Sequence, residues 1–138
     1  MEKTIDLLLL FSWVYMLAGP LTGAYMATWA YEGEKSTTFF GDYTAEPRRI
    51  YRVAHINCFV FPYMGIMWAL AVERTQLFPG LVSWGVAFMM LATVFMTLPL
   101  FASLKWHGLR NATVVGLVAL LGGIGILVYA YASKLWGA

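Results

Sequence analysis

Four long stretches of this chain carry no Asp, Glu, Lys or Arg, and they leave little room for any other architecture. Between Asp6 and Glu32 there are 25 such residues, between Arg52 and Glu73 there are 20, between Arg74 and Lys105 there are 30, and between Arg110 and Lys134 there are 23. A helix needs roughly 20 apolar residues to cross the hydrocarbon core of a bilayer. Each stretch meets that length. Helices are the form these stretches can take, because backbone groups in lipid must be satisfied within the protein. A membrane barrel would need alternating segments of about 10 residues separated by turns, and these runs are longer and do not alternate. The expectation is an all-α integral membrane protein, a single four-helix domain over residues 1–138, with spans near 6–30, 53–72, 78–103 and 112–134. The first run is also about twice as long as the 7–15-residue core of a cleaved signal and lacks a strongly basic start.

The connections are unequal. The first, Tyr31 to Arg52, holds Glu32, Glu34, Lys35, Asp42, Glu46, Arg48, Arg49 and Arg52. The second, near Glu73 to Gly80, and the third, Lys105 to Asn111, are short. Short connections favour antiparallel neighbours, so an up-down four-transmembrane-helix bundle is the simplest packing. Connections one and three carry Lys35, Arg48, Arg49, Arg52, Lys105 and Arg110, while the other side carries Lys3, Arg74 and Lys134. The excess of basic residues puts connections one and three in the cytoplasm and both termini outside. Trp29, Tyr31, Tyr51, Trp84, Trp106, Tyr131 and Trp136 fall near span ends, where amphipathic rings suit the interface. Trp68, inside span two, fits that role less well.

Charge and cysteine content narrow the function classes. A net charge of +2 offers nothing for nucleic acid. The bilayer is the implied partner. A single cysteine, Cys58, excludes an internal disulfide, and no CxxC or CxxCH is present. Nucleophile-elbow, HExxH and P-loop motifs are absent as well. Asn111-Ala112-Thr113 matches a glycosylation sequon, in a connection too short and too close to a span end to favour it.

Small residues mark packing faces. Gly19-Pro20-Leu21-Thr22-Gly23 is a GxxxG that continues to Ala27, and Ala119 and Gly123 repeat the spacing in span four. Such stripes let helices approach closely, within the bundle or between subunits. Pro20, Pro62 and Pro99 lie inside spans, where proline frees a carbonyl and bends a helix.

Ionisable residues within a membrane helix imply function, and His55 is the leading candidate. It sits three residues beyond Arg52, at the start of span two. Cys58 and Phe59 follow at i+3 and i+4 on the same face, with Asn57 turned elsewhere. His107, in Lys105-Trp106-His107-Gly108, falls at the same membrane side. Two histidines at one depth could share a metal or ligate one haem, although a histidine in a short polar connection needs no special role. A mononuclear non-haem site wants three or four ligands, and the spans hold no carboxylate to complete one. A haem needs one or two axial ligands and an apolar pocket. The candidate cofactor residues are therefore His55, Asn57, Cys58, Phe59 and His107, with His55 as the metal ligand. The eight methionines read as core fillers.

The layout, with Tyr51-Arg52-Val53-Ala54-His55 followed by Met64-Gly65-Ile66-Met67, the short connection after span two and the Gly108-Leu109 turn, resembles the styrene oxide isomerases, small four-span membrane proteins. In that family a histidine at the start of span two ligates a haem b held between subunits of a trimer, and the iron acts as a Lewis acid on the epoxide oxygen. The resemblance implies His55 as haem ligand. It does not extend to the substrate pocket. The family's pocket asparagine falls near Phe61 here. Its Asp and Tyr in span three find only Ser83, Thr93 and Thr97. Three functions follow as expectations. The first is a membrane haem b protein for electron transfer or ligand binding, working as an oligomer or a subunit of a larger complex. The second is a cofactor-free accessory subunit of a membrane complex. The third is an isomerase-like enzyme with iron as Lewis acid.

Overall fold

The computed structural model describes residues 2–32, 44–75 and 77–136, the side chains of 28–32 excepted. Glu34, Lys35 and Asp42, and the side chains of Trp29, Tyr31 and Glu32, lie outside the described residues. The chain forms α1 (Glu2–Met16), α2 (Ala18–Glu32), α3 (Glu46–Val72), α4 (Pro79–Ser103), a 3-10 turn (His107–Ala112) and α5 (Thr113–Trp136). Four segments are long and apolar enough to cross a membrane: Glu2–Ala27, Glu46–Val72, Pro79–Ser103 and His107–Trp136.

The first of these is interrupted. Leu17 leaves the helix and its N–H reaches only to the Val14 carbonyl, at 3.2 Å. Pro20 has no N–H for the Met16 carbonyl and crowds it, and Ala18-Gly19-Pro20 offers weak local support. Pro62 and Pro99 behave differently: α3 and α4 run through them without a break. One missing hydrogen bond is tolerated where the flanking turns are well packed, and Pro62 is fully buried.

The expected start of the second span also moves. Arg48, Arg49 and Arg52 are not in a loop but on the first turns of α3, which begins at Glu46 with Pro47 in its first turn. Proline is preorganised for that position, where its missing N–H costs nothing. Charge density marks the edge of an apolar run, not the end of a helix.

Contacts along the helices define the packing. Gly65 faces Leu8 and Ser12, Gly19 faces Phe59, and Gly23 faces His55. At one end of the bundle the start of α3 meets the end of α4, through Tyr51 on Phe101 with ring centroids 5.1 Å apart. At the other end Tyr131 donates to the Ala71 carbonyl and Lys134 to that of Arg74. The apolar core lies toward this second end, built from Ile5, Leu8, Trp68, Val72, Val86 and Met89 with their neighbours. Trp68 is 3% exposed and donates its Nε1–H to the Gly123 carbonyl at 2.7 Å. Its ring covers Gly85. It is a tie among α3, α4 and α5, which explains its poor fit to an interfacial role. Trp84, Trp106 and Trp136 are exposed, whereas Tyr51 is buried.

Candidate functional site: His55 on the Gly19–Gly23 face

His55 lies on the face of α3 turned to α2, and the glycines of the GxxxG make room for it. A Cβ on Gly23 would stand 2.9 Å from His55 Cε1 and 3.5 Å from Nε2, and one on Gly19 would enter the Phe59 ring. Gly19 and Gly23 on α2 therefore oppose Phe59 and His55 on α3, each pair four residues apart. This stripe packs within the chain. The imidazole meets Phe59 edge to face, centroids 5.4 Å apart, as expected for residues at i and i+4 of one helix.

The hydrogen bonds around Thr22 engage the imidazole through Nδ1. Thr22 Oγ1 lies 2.8 Å from the Ala18 carbonyl, 3.0 Å from that of Gly19 and 2.9 Å from His55 Nδ1. A threonine hydroxyl has one hydrogen to give. When it goes to the Ala18 carbonyl, the oxygen accepts Nδ1–H, and both groups are satisfied. When it goes to Nδ1 instead, the hydroxyl gives up its carbonyl bond and an Nε2–H is left without an acceptor. The first arrangement keeps the Thr22 bond to Ala18, and it favours the Nδ1–H tautomer. Nε2 then carries a lone pair, and no described residue hydrogen-bonds to it. An imidazole that donates through one nitrogen and presents the other is the usual state of a metal-ligating histidine. Tyr51, one turn earlier, donates to the Thr22 carbonyl at 3.3 Å and stacks obliquely on Tyr25, which holds α2 in place.

The other sequence candidates divide. Cys58 is buried beside Thr22 and donates to the Ala54 carbonyl at 3.4 Å. Asn57 donates to the Met96 carbonyl at 2.7 Å, so its amide ties α3 to α4. His107 is exposed at the start of the 3-10 turn and has no hydrogen-bond partner among the described residues. The structure brings His55, Phe59 and Cys58 to one side of α3 and does not place His107 with them. Cys58 bonds a carbonyl and His55 a threonine, so no thiol–imidazole pair forms. Among the described residues no three of His, Cys, Asp and Glu gather as a metal site.

Sequence reasoning missed the buried hydroxyls of Ser12 and Tyr15 on α1. Ser12 Oγ, Tyr15 Oη and Thr97 Oγ1 are buried without hydrogen bonds. Tyr15 and Thr97 face each other across α1 and α4. Their signal was a lone hydroxyl residue in an apolar run, which burial alone can make consequential.

Comparison of the chain with models of known protein families, with curated proteins and with solved structures gave no match. The functional reading therefore rests on the site. Its distinctive feature is a single imidazole, tied through Nδ1 to Thr22 and set against glycine and aromatic neighbours.

Proposed function

We propose that this chain is a four-pass, up-down integral membrane protein that binds haem b through His55 Nε2. It acts in electron transfer or ligand binding, as a homo-oligomer or a subunit of a larger membrane complex. The observation that carries the reading is the hydrogen bond between His55 Nδ1 and Thr22 Oγ1, because it leaves Nε2 without a hydrogen-bond partner among the described residues. The residues present fit one axial bond. His55 supplies the nitrogen and Phe59 an aromatic face beside it, while Gly19 and Gly23 let α2 close on both rings. Arg52, one turn toward the charged end, carries the charge that suits a propionate. When bound, haem supplies a redox-active iron with an open or exchangeable coordination position. The chain's own residues orient the imidazole and exclude water from its α2 side.

The membrane part of the proposal is supported by four helices of sufficient length and by large apolar side chains exposed on their outer faces, Leu10, Leu21, Leu121 and Val128 among them. The basic residues at the start of α3 and in the turn before α5 favour that end as cytoplasmic, with both termini outside. Isomerase chemistry gains less support, since Thr93 gives its hydroxyl to the Met89 carbonyl and the charge-free run of α4 supplies no acid beside Thr97.

An absorption spectrum of the purified protein reconstituted with haem is the test. A Soret band is expected in the wild type, absent in His55→Ala and retained in His107→Ala, with helix content by circular dichroism unchanged in both variants. A wild-type protein that folds and stays colourless defeats the haem reading and leaves the cofactor-free accessory subunit.

A further inference from the structure

A second site lies at the charged end of the bundle, on a different face of α3 from His55. A groove of about 410 Å³ is lined by Glu46, Arg49, Ile50, Val53, Leu100 and Arg110. The four α3 residues follow one another at i, i+3, i+4 and i+7, so they form one strip of the helix surface. We propose that this groove binds an anionic phospholipid, with the phosphodiester between Arg49 and Arg110 and the glycerol against Ile50, Val53 and Leu100. The proposal rests on the membrane reading above and is independent of haem.

Three observations support this occupant. The first is charge. The lining holds two guanidinium groups against one carboxylate. The Arg49 side chain is exposed and has no ion-pair or hydrogen-bond partner among the described residues. Arg110 bonds Glu46 at 2.9 Å, but the two side chains are 56% and 60% exposed, and ion pairs that open to solvent hold weakly. A guanidinium can accept a phosphate in a bidentate fork without losing much. The start of α3 adds partial positive charge, because Ala45 provides no side-chain cap. The second is the change of character along the groove. Its charged residues come first in α3 and its apolar ones a turn or two deeper, the order that a headgroup followed by a glycerol backbone requires. The third is continuity. From Val53 the exposed apolar residues Ile56, Val60 and Tyr63 follow at helical spacing. That track runs about 15 Å at 1.5 Å per residue, roughly half the hydrocarbon thickness and so the depth of one leaflet. A free phosphate would use the arginines and leave the apolar half of the groove and its track without a role.

Native mass spectrometry of the full chain in detergent, with phosphatidylglycerol or phosphatidylcholine of the same acyl chains, tests the assignment. Preferential retention of phosphatidylglycerol is expected. Arg49→Gln should weaken retention about fivefold, taking the usual contribution of one basic residue at a membrane surface, and Arg49→Gln with Arg110→Gln should abolish the preference. Arg74→Gln, at the far end of the bundle, should leave it unchanged. Circular dichroism checks each fold, and should the double variant fail to fold, Arg49→Gln alone decides. Equal retention of the two lipids, or an undiminished preference in Arg49→Gln, overturns the proposal. So does displacement of the lipid by millimolar inorganic phosphate, which would identify a site for the free anion. Each of these results can be read whether or not the protein binds haem.

Discussion

Thr22→Val removes the one hydroxyl on which the His55 tautomer depends and changes little else. Valine keeps the shape and β-branching of threonine, so the helix is not asked to adopt a new rotamer. What is lost is the partner 2.9 Å from Nδ1, the back-bonds to the Ala18 and Gly19 carbonyls and the contact with the Cys58 thiol. Hydrogen bonds between membrane helices contribute on average about 0.6 kcal/mol and at most about 1.7 kcal/mol. The cofactor-free protein should therefore lose stability within that range. The ligand role is more sensitive. Removing the partner of a ligating histidine typically lowers metal affinity about 10- to 100-fold, or about 1.4–2.7 kcal/mol. Haem titration at the Soret maximum should show that loss in Thr22→Val and near-complete recovery in Thr22→Ser. Binding by Thr22→Val within about twofold of wild type, alongside no binding by His55→Ala, would refute the claim that Thr22 orients the ligand. A second readout needs no cofactor. Nitrogen-15 chemical shifts of the His55 ring should report the Nδ1–H tautomer in the wild type and a mixture in Thr22→Val. A wild-type ring protonated on Nε2 would remove the basis of the assignment.

Two further substitutions probe the packing. Gly85→Ala places a methyl group in the Trp68 ring; overpacking at about 1–3 kcal/mol, offset by about 1 kcal/mol of helix propensity, gives a net loss of about 1 kcal/mol in thermal unfolding in detergent. Trp68→Phe loses the bond to the Gly123 carbonyl, about 1 kcal/mol, and adds the cost of the volume the indole filled, and in combination with Gly85→Ala the smaller ring should make the two losses less than additive. Ser12→Ala removes a buried hydroxyl that has no partner, so unfolding should be unchanged or shifted upward. A loss above about 1 kcal/mol would show that the hydroxyl is satisfied through a bound water.

The features legible in the sequence were those set by one-dimensional patterns. Charge-free runs of sufficient length gave four long apolar helices, and residues at i and i+4 gave the shared face of His55 and Phe59. The GxxxG announced a close approach without saying to what. Features set by three-dimensional neighbours were not legible. Pro20 coincides with a break while Pro62 and Pro99 do not, and the difference lies in the packing around each proline. Asn57 sits two residues from His55, yet its amide serves α4. His107 shares the sequence signature of a ligand but lies exposed on a 3-10 turn. Arg48, Arg49 and Arg52 look like loop residues, and only the helical start at Glu46 places Arg49 in a groove and Arg52 a turn from the histidine.

The position of the candidate site relative to the core has its own consequence. Ile5, Leu8, Trp68, Val72, Val86 and Met89 pack toward the end of the bundle away from the arginines, and Trp68 joins α3 and α5 there. Around His55 the contacts are of another kind: an imidazole on a glycine, a ring on a glycine, and single hydrogen bonds to Thr22. Burial supplies most stability, and little of that burial depends on the His55 side chain. Regions with few apolar contacts are also where local opening concentrates. Substitutions at His55, Thr22 and Arg49 should thus change what the protein binds at small cost to its fold, whereas Gly85 and Trp68 should do the reverse. That separation makes a spectral or lipid-binding loss in the first group interpretable as loss of a site and not of the helix bundle.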